Sequence, residues 1–388
     1  MSEQGYLLIA DITGYTAYLS QSELDHAQEI LESLLNLLIN ETRPPLVISR
    51  LEGDAVISYA LQDSFIQGQT LVEMIENTYV DFRQELERMI LNTTCTCNAC
   101  RNISSLDLKF FVHYGQFSIQ NLGNYYELVG TDVNLVHRLT KNTITEKTGL
   151  QAYVAYTHTA TDALGIVELA AEMATHHEQY EHLGEVMIYV QDMHTVWERE
   201  KVQRRVSVTP QEALLTVQFD YPVNQAVLWD YLTKPETRAI ATGSESFKIT
   251  GRSAGRTGQG TVYHCAHGNR VSYQTILNWQ PFDEYTTEDT MPPIPGVTSR
   301  TTYRLEPTEG GTRLSVICGK GHGSLLGRKL VDLAIPKMGG MIEKGFIELQ
   351  KRITHDLAAG KIILPAAVDL PEVEIDKSLR SVQSGAEA

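Results

Sequence analysis

Residues 7–19, LLIADITGYTAYL, and residues 50–60, RLEGDAVISYA, decide how this chain is read. In each, one aspartate, Asp11 or Asp54, stands at the edge of an aliphatic, β-branched run of the kind that forms buried strands. Two strand-end carboxylates brought together suit a divalent cation in phosphoryl transfer, because hard cations such as Mg²⁺ take oxygen ligands and few of them from protein. The pair is the signal, since either aspartate alone is also an ordinary turn cap.

A third stretch, YELVGTDVNLVHRL at 126–139, sets Asn134 and Arg138 at i, i+4 on one face of an expected helix. Together the three stretches resemble the class III nucleotidyl cyclases. In that family an Asp-Ile-x-Gly-Phe-Thr segment and a Gly-Asp-Ala hairpin carry the metal-binding aspartates, and a Gly-x-x-Val-Asn-x-x-x-Arg segment lies downstream. The resemblance implies that Asp11, Asp54 and the backbone carbonyl of Ile12 hold two Mg²⁺ or Mn²⁺ ions, with Thr16 and the Gly14-Tyr15-Thr16 turn near the phosphates. Asn134 would orient the ribose, and Arg138 would stabilise charge on the α-phosphoryl oxygens in the transition state. The implied reaction turns a nucleoside triphosphate into a 3′,5′-cyclic nucleotide and pyrophosphate. Because the family's Asn and Arg act on the partner subunit's metal site, a homodimer is implied too. The plainer reading of Asn134 and Arg138 is a solvated face of an amphipathic helix.

Counting back along these motifs puts Arg50 and Glu127 at the family's base-reading positions. The cation and carboxylate would meet N1 and N6 of adenine, or would equally pair with each other, so the base stays open. Two departures stand out. Tyr15 replaces the usual Phe, and the family's late triphosphate-binding lysine has no counterpart around Tyr180-Glu181-His182-Leu183-Gly184.

The 388 residues exceed one ordinary core and predict two domains with tails, and 42% hydrophobic with 21% charged residues is globular composition. A formal net charge of −16 argues against nucleic acid and anionic membranes as partners. No stretch approaches the roughly 20 consecutive apolar residues of a membrane span, and Asp11 interrupts the apolar start, so a cytoplasmic protein is expected.

The fold class expected is α+β: a nucleotidyl-cyclase-like domain with a ferredoxin-like sheet over residues 1–196, then at 197–211 a charged linker or, equally, a short signalling helix (EREKVQRR within it). In the first domain Ser22 with Asp25 reads as a helix cap, Pro44-Pro45 as that helix's stop, and Glu52-Gly53-Asp54 as a hairpin tip. Gln69 to Leu91 has helical spacing; Leu106 to His113 is a strand ending at Gly115, before a second hairpin. Gln151 to Tyr156 and Val186 to Val190 complete an expected seven-strand sheet.

Residues 212–357 read as a strand, a short helix at 224–232, repeated strands and one long helix from Leu325 to His355. This order, with VNQAVLWDYLTKPE at 223–236, resembles the START-like helix-grip fold of the polyketide cyclase and lipid-transfer superfamily. That resemblance implies a cavity for a small apolar ligand, which Trp229, Tyr263, Trp279 and Tyr303 would line or fill. Residues 358–388 read as a mostly disordered tail.

Three of the five cysteines crowd into CTCNAC, where Cys95, Cys97 and Cys100 offer soft ligands at a spacing zinc accepts, with His113 or a residue from elsewhere as the fourth. Reduced, solvated loop thiols are the alternative. His264 and His267 around Cys265 are explained by strand alternation. Beside the cyclase reading stand two others: a cyclase homologue that binds nucleotide or dimerises without turnover, and a hydrophobic-ligand carrier with a regulatory N-terminal half.

Overall fold

Side-chain alternation makes the first strand a central one. In β1 (Ser2–Thr13), Tyr6, Leu8, Ala10 and Ile12 enter one hydrophobic cluster while Leu7 and Ile9 enter another, so both faces are covered. The computed structural model describes residues 2–362, apart from 66, 93–94, 96, 123–124, 203–205, 251–254, 269 and 293–295. The tail expected beyond 358 therefore lies mostly outside the described residues.

Two antiparallel neighbours flank β1: β3 (Ala55–Leu61), which forms a hairpin with β2 (Val47–Glu52), and β4 (Asp107–Leu122). β5 (Tyr125–Val129) pairs with the far end of β4, and β6 (Tyr153–Thr157) runs parallel to β4. With β7 (Ala174–Tyr180) and β8 (Gly184–Asp192) the sheet order is β2-β3-β1-β4-β6-β8-β7, with β5 on β4. On the Tyr6 face lie α1 (Tyr15–Ser20), α2 (Leu24–Glu41), α3 (Gln69–Asn92) and the short α4 (Asn98–Arg101). The Leu7 face is covered by α5 (Thr131–Leu139) and α6 (Ile144–Thr148), through Val133, Val136, Leu139 and Ile144. α7 (His158–Leu164), α8 (Val167–Ala170) and α9 (Met193–Val202) complete this half.

The C-terminal half is an antiparallel sheet of order β10-β11-β12-β13-β14-β15-β9. Its strands are β9 (Ala213–Tyr221), β10 (Ser246–Thr250), β11 (Val262–His267), β12 (Arg270–Gln280), β13 (Glu284–Thr290), β14 (Thr298–Thr308) and β15 (Gly311–His322). α10 (Gln225–Thr233), capped by Asn224 accepting from the Val227 N–H at 3.0 Å, leads into α11 (Pro235–Thr242). α12 (Leu325–Ala334) and α13 (Gly339–Ala358) follow the last strand, and α13 buries Phe346, Leu349 and Ile353. The hydrophobic core is continuous between the halves: Leu71, Val72 and Ile75 of α3 belong to the same cluster as Trp229, Trp279 and Tyr285.

Several local expectations are corrected. The helix expected to start at Ser22 has Glu23 at its N-cap with no side-chain bond, and Ser22 Oγ is buried without a partner among the described residues. Gly115 does not end β4; the strand passes through because a Cβ there would meet the Asp132 carboxylate at 2.3 Å, so glycine serves close packing. β7 has no counterpart among the expected strands, since its inward side chains are His176 and Glu178, paired at 2.7 Å, and give no apolar alternation. Of the segment from Trp197, read as a linker or a short helix, the first residues belong to α9, whose Val196 and Trp197 are buried. The single long C-terminal helix is broken at Pro336, where a 3₁₀ turn, Ile335–Met338, separates α12 from α13.

Candidate functional site

The strand register brings Asp11 and Asp54 together. Asp11 lies opposite Ala55 on β3 and Lys109 on β4, while the Ile12 N–H donates to the Asp54 carbonyl at 3.2 Å and ties the hairpin tip to the end of β1. Gly53 (φ 61°) makes that tip possible. Gly14 (φ 87°) turns the chain into α1, and its missing Cβ leaves room for the Ser105 carbonyl, which a methyl group would meet at 2.8 Å. The result is an open depression of about 250 Å³ lined by Asp11 to Ala17, Asp54 and Lys109.

The electrostatics of this depression are those of a site short of positive charge. Burial, then the neighbouring Asp54, push the Asp11 carboxyl up to about 6 against the opposing pull of Lys109. Burial also raises Asp54, its own backbone N–H acting the other way. Among the described residues neither carboxylate forms an ion pair. Lys109 itself is held lower by burial, and its Nζ donates to Thr145 Oγ1 at 3.1 Å and sits 5.1 Å from the centre of the Tyr153 ring. Thr13 Oγ1, at the pocket, is buried with no hydrogen-bond partner among the described residues. A donor set of two carboxylates and backbone carbonyls, beside an orphaned hydroxyl, fits a hard divalent cation.

The other expected residues divide into two groups. Thr16 lines the pocket and is exposed; Ile12 has its side chain in the core, which fixes the carbonyl the resemblance invokes. Asn134 and Arg138 are exposed on α5, and among the described residues nothing bonds either side chain to Asp11 or Asp54 within this chain. Arg50 and Glu127 pair with each other, and the guanidinium also reaches Glu52 at 2.5 Å and His137 Nε2 at 3.3 Å. The turn around His182 is exposed and supplies no lysine.

Lys109 and Thr13 are the pocket residues that sequence reading missed. A lysine inside the apolar run LDLKFFVH was the available signal, and it becomes informative once the register sets it beside Asp11. His137, between Asn134 and Arg138, was likewise hidden, since it meets Arg50 and Glu52 of β2 only through the fold.

In the C-terminal half the aromatic candidates fill the interior. Trp229 packs on Trp279, Phe282 and Tyr285, and Tyr285 stacks on Tyr303 with centroids 4.5 Å apart. At their centre Arg238 is fully buried, donating to Gln274 Oε1, the Leu232 carbonyl and the Tyr285 and Tyr303 hydroxyls.

The cysteine cluster has a fourth member. His113 is occupied in β4, its ring nitrogens 3.0 Å from Thr157 Oγ1 and 3.2 Å from Asp132 Oδ1. Instead His26 of α2 brings Nδ1 to the three thiols, and the four ligand atoms lie within 4.8 Å of one another. The His264 ring lies tilted against Tyr273 and Cys265 is buried in β11, in keeping with strand alternation.

A family model described as a protein of unknown function (DUF2652) matches residues 31–148. An uncharacterized protein of Mycobacterium tuberculosis, Rv2561/Rv2562, is 29% identical over 119 residues, 30% of this chain; the chain spans about half, 51%, of that relative. Similar solved structures include a bacterial light-regulated adenylyl cyclase (14% identity, 52% of this chain and 57% of that one, TM-score 0.37). Also similar are the guanylyl cyclase Cya2 (15%, 49% and 92%, 0.34) and the adenylyl cyclase CyaB of P. aeruginosa (15%, 50% and 95%, 0.35). Likeness at that level does not bear on activity. Among the described residues no helix is long and apolar enough to cross a membrane.

Proposed function

We propose that this chain is a class III nucleotidyl cyclase-like enzyme that works as a homodimer on a nucleoside triphosphate, with a helix-grip, START-like C-terminal half as its regulatory module. The observation that carries the reading is the convergence of Asp11 and Asp54, two carboxylates whose proton affinity is raised chiefly by burial, beside a Thr13 hydroxyl with no partner among the described residues. Bound Mg²⁺ or Mn²⁺ would neutralise the triphosphate and acidify the ribose 3′-hydroxyl. The protein's part is to hold the ions with Asp11, Asp54 and the Ile12 carbonyl and to steady phosphate oxygens with the Thr16 turn. The 3′-oxygen would attack the α-phosphorus as the bond to pyrophosphate breaks, with the hydroxyl proton passing to solvent water. Arg138 of the partner subunit stabilises the charge that gathers on the α-phosphoryl oxygens, and Asn134 of the partner subunit orients the ribose.

Lys109 takes a share of the phosphate charge in this reading, which eases the lack of a lysine around Tyr180 to Gly184. The aromatic interior around Arg238 supports a regulatory role for the C-terminal half better than a cavity for an apolar ligand. The test is purified protein with Mn²⁺ and each of the four ribonucleoside triphosphates, products separated by chromatography. A cyclic nucleotide from one of them is expected.

One observation favours a second reading, binding without turnover: the turn at Tyr180 to Gly184 supplies no lysine for the triphosphate. Metal-dependent nucleotide binding with no cyclic product in any of the four reactions would select it.

A further inference from the structure

CTCNAC is folded into a knuckle against the start of α2. Cys97 is the N-cap of α4, and its Sγ accepts a hydrogen bond from the Cys100 N–H at 3.4 Å, which orients the sulfur. The Ala99 N–H donates to Glu23 Oε2 at 3.1 Å, and the Tyr18 hydroxyl donates to the Ala99 carbonyl at 3.1 Å, so the knuckle is bound to α1 and to the entrance of α2. That docking delivers His26: its Nδ1 lies 3.3 Å from Cys97 Sγ, 3.6 Å from Cys95 Sγ and 4.0 Å from Cys100 Sγ.

These distances identify the geometry. A tetrahedral zinc with Zn–S of about 2.3 Å and Zn–N of about 2.1 Å sets the nitrogen about 3.6 Å from each sulfur. The three observed separations straddle that value. A disulfide between two of the thiols would not call for an imidazole facing all three, and a solvated loop would not converge them.

We propose that His26, Cys95, Cys97 and Cys100 form a structural Cys₃His zinc site. The site clips the start of α2 to the connection between α3 and β4. All four positions are protein ligands, so none is open for catalysis. The knuckle leads through Ser105, whose carbonyl packs on Gly14, and it anchors α1 through Tyr18. The zinc therefore braces from behind the turn that forms the wall of the Asp11 depression. Because thiolate ligands release their protons and no preformed site exists in the unfolded chain, the binding free energy is folding free energy.

The test uses the full chain, purified reduced and without chelator. About one zinc per chain is expected by elemental analysis. After removal, Co²⁺ alone should restore the site with thiolate charge-transfer bands and the visible bands of a tetrahedral ion. Cys95, Cys97 and Cys100 should resist alkylation until a chelator is added, while the buried Cys265 and Cys318 should stay unreactive throughout. His26→Ala should weaken zinc affinity by more than roughly tenfold and alter the cobalt spectrum. Cys95→Ser, at the exposed end of the knuckle, serves if the histidine variant does not fold. Reduced wild-type protein that takes up neither zinc nor cobalt, with all three thiols alkylated at one rate, overturns the site. Full zinc affinity and an unchanged cobalt spectrum in folded His26→Ala overturns the fourth ligand. None of these readouts depends on nucleotide turnover.

Discussion

The indole Nε1 of Trp279 donates to Glu73 Oε1 at 2.7 Å, joining the C-terminal sheet to α3 of the N-terminal half in a fully buried contact. Around it Glu76 is paired with Arg256 and Arg199, and Asp230 accepts from Thr70 and Gln67. The two halves thus meet through charged groups withdrawn from water, and the partners decide which carboxylates ionise. Arg256 overcomes the desolvation of Glu76 and holds it at about 2, whereas burial dominates at Glu73 and Asp230 and pushes both up to about 7.

A pH dependence of stability follows. A carboxyl whose folded-state value is raised binds more protons folded than unfolded, so its stabilising contribution is complete below the ordinary glutamate range and is lost as pH rises through about 7. Glu73→Gln keeps an oxygen for Trp279 and Gln69 but cannot ionise. The variant should be more stable than the wild type by roughly 1–3 kcal/mol at pH 8, with the advantage shrinking towards pH 5. Urea unfolding at the two pH values measures it; an advantage that grows on acidification would reverse the assignment.

At the candidate metal site the sign is the same and the consequence differs. Ionised Asp11 beside Asp54 burdens the metal-free protein, and protonated Asp11 cannot serve a cation. Mn²⁺ affinity should therefore fall about tenfold per unit as pH drops below about 6. Asp11→Asn should melt higher than the wild type at pH 8 without metal and gain nothing from added Mn²⁺, while Asp54→Ala should abolish turnover. Thermal melts with and without Mn²⁺ decide it.

What was legible in the sequence follows from how each signal is written. β1, β3 and the hairpin tip were readable because they are apolar runs with one carboxylate each, and the C-terminal strands because Gly and Asn turns punctuate them. β7 was not, since its inward positions are a histidine and a glutamate that satisfy each other. α9 reads as a charged linker because its buried side chains, Met193, Val196 and Trp197, all lie in its first half and the charged residues follow. Of the site, the acidic half was visible as motif; Lys109 and Thr13 acquire meaning only from register, and His26 only when α4 docks on α2. A contact across 69 residues or more has no local spacing to betray it.

Arg50 and Glu127 form an ion pair about one third exposed, in a network with Glu52 and His137. Partly exposed pairs of this kind contribute about 0–1 kcal/mol, so Arg50→Ala combined with Glu127→Ala should shift the unfolding free energy by less than about 1 kcal/mol. If the pair reads a purine, the same double variant should lose discrimination among the four triphosphates in the turnover assay. Unchanged nucleotide preference would leave the pair with a structural role alone.

The most direct test of a shared site is complementation between subunits. Within one chain Asn134 and Arg138 stand exposed on α5, with no bond to the aspartates at the end of β1 among the described residues. In a two-fold dimer each site would take its carboxylates from one chain and its arginine from the other. Asp54→Ala and Arg138→Ala should each be inactive alone, and mixing them should restore activity, because a mixed dimer holds one site with both defects and one with none. With random exchange at equal amounts half of the dimers are mixed and each has one working site, so recovery should approach about one quarter of wild-type activity. The exchange must be shown independently, for instance by differently tagged chains purified together. Proven mixed dimers without recovery would mean that each site is built within one chain, and Arg138 would return to being a solvated residue on an amphipathic helix.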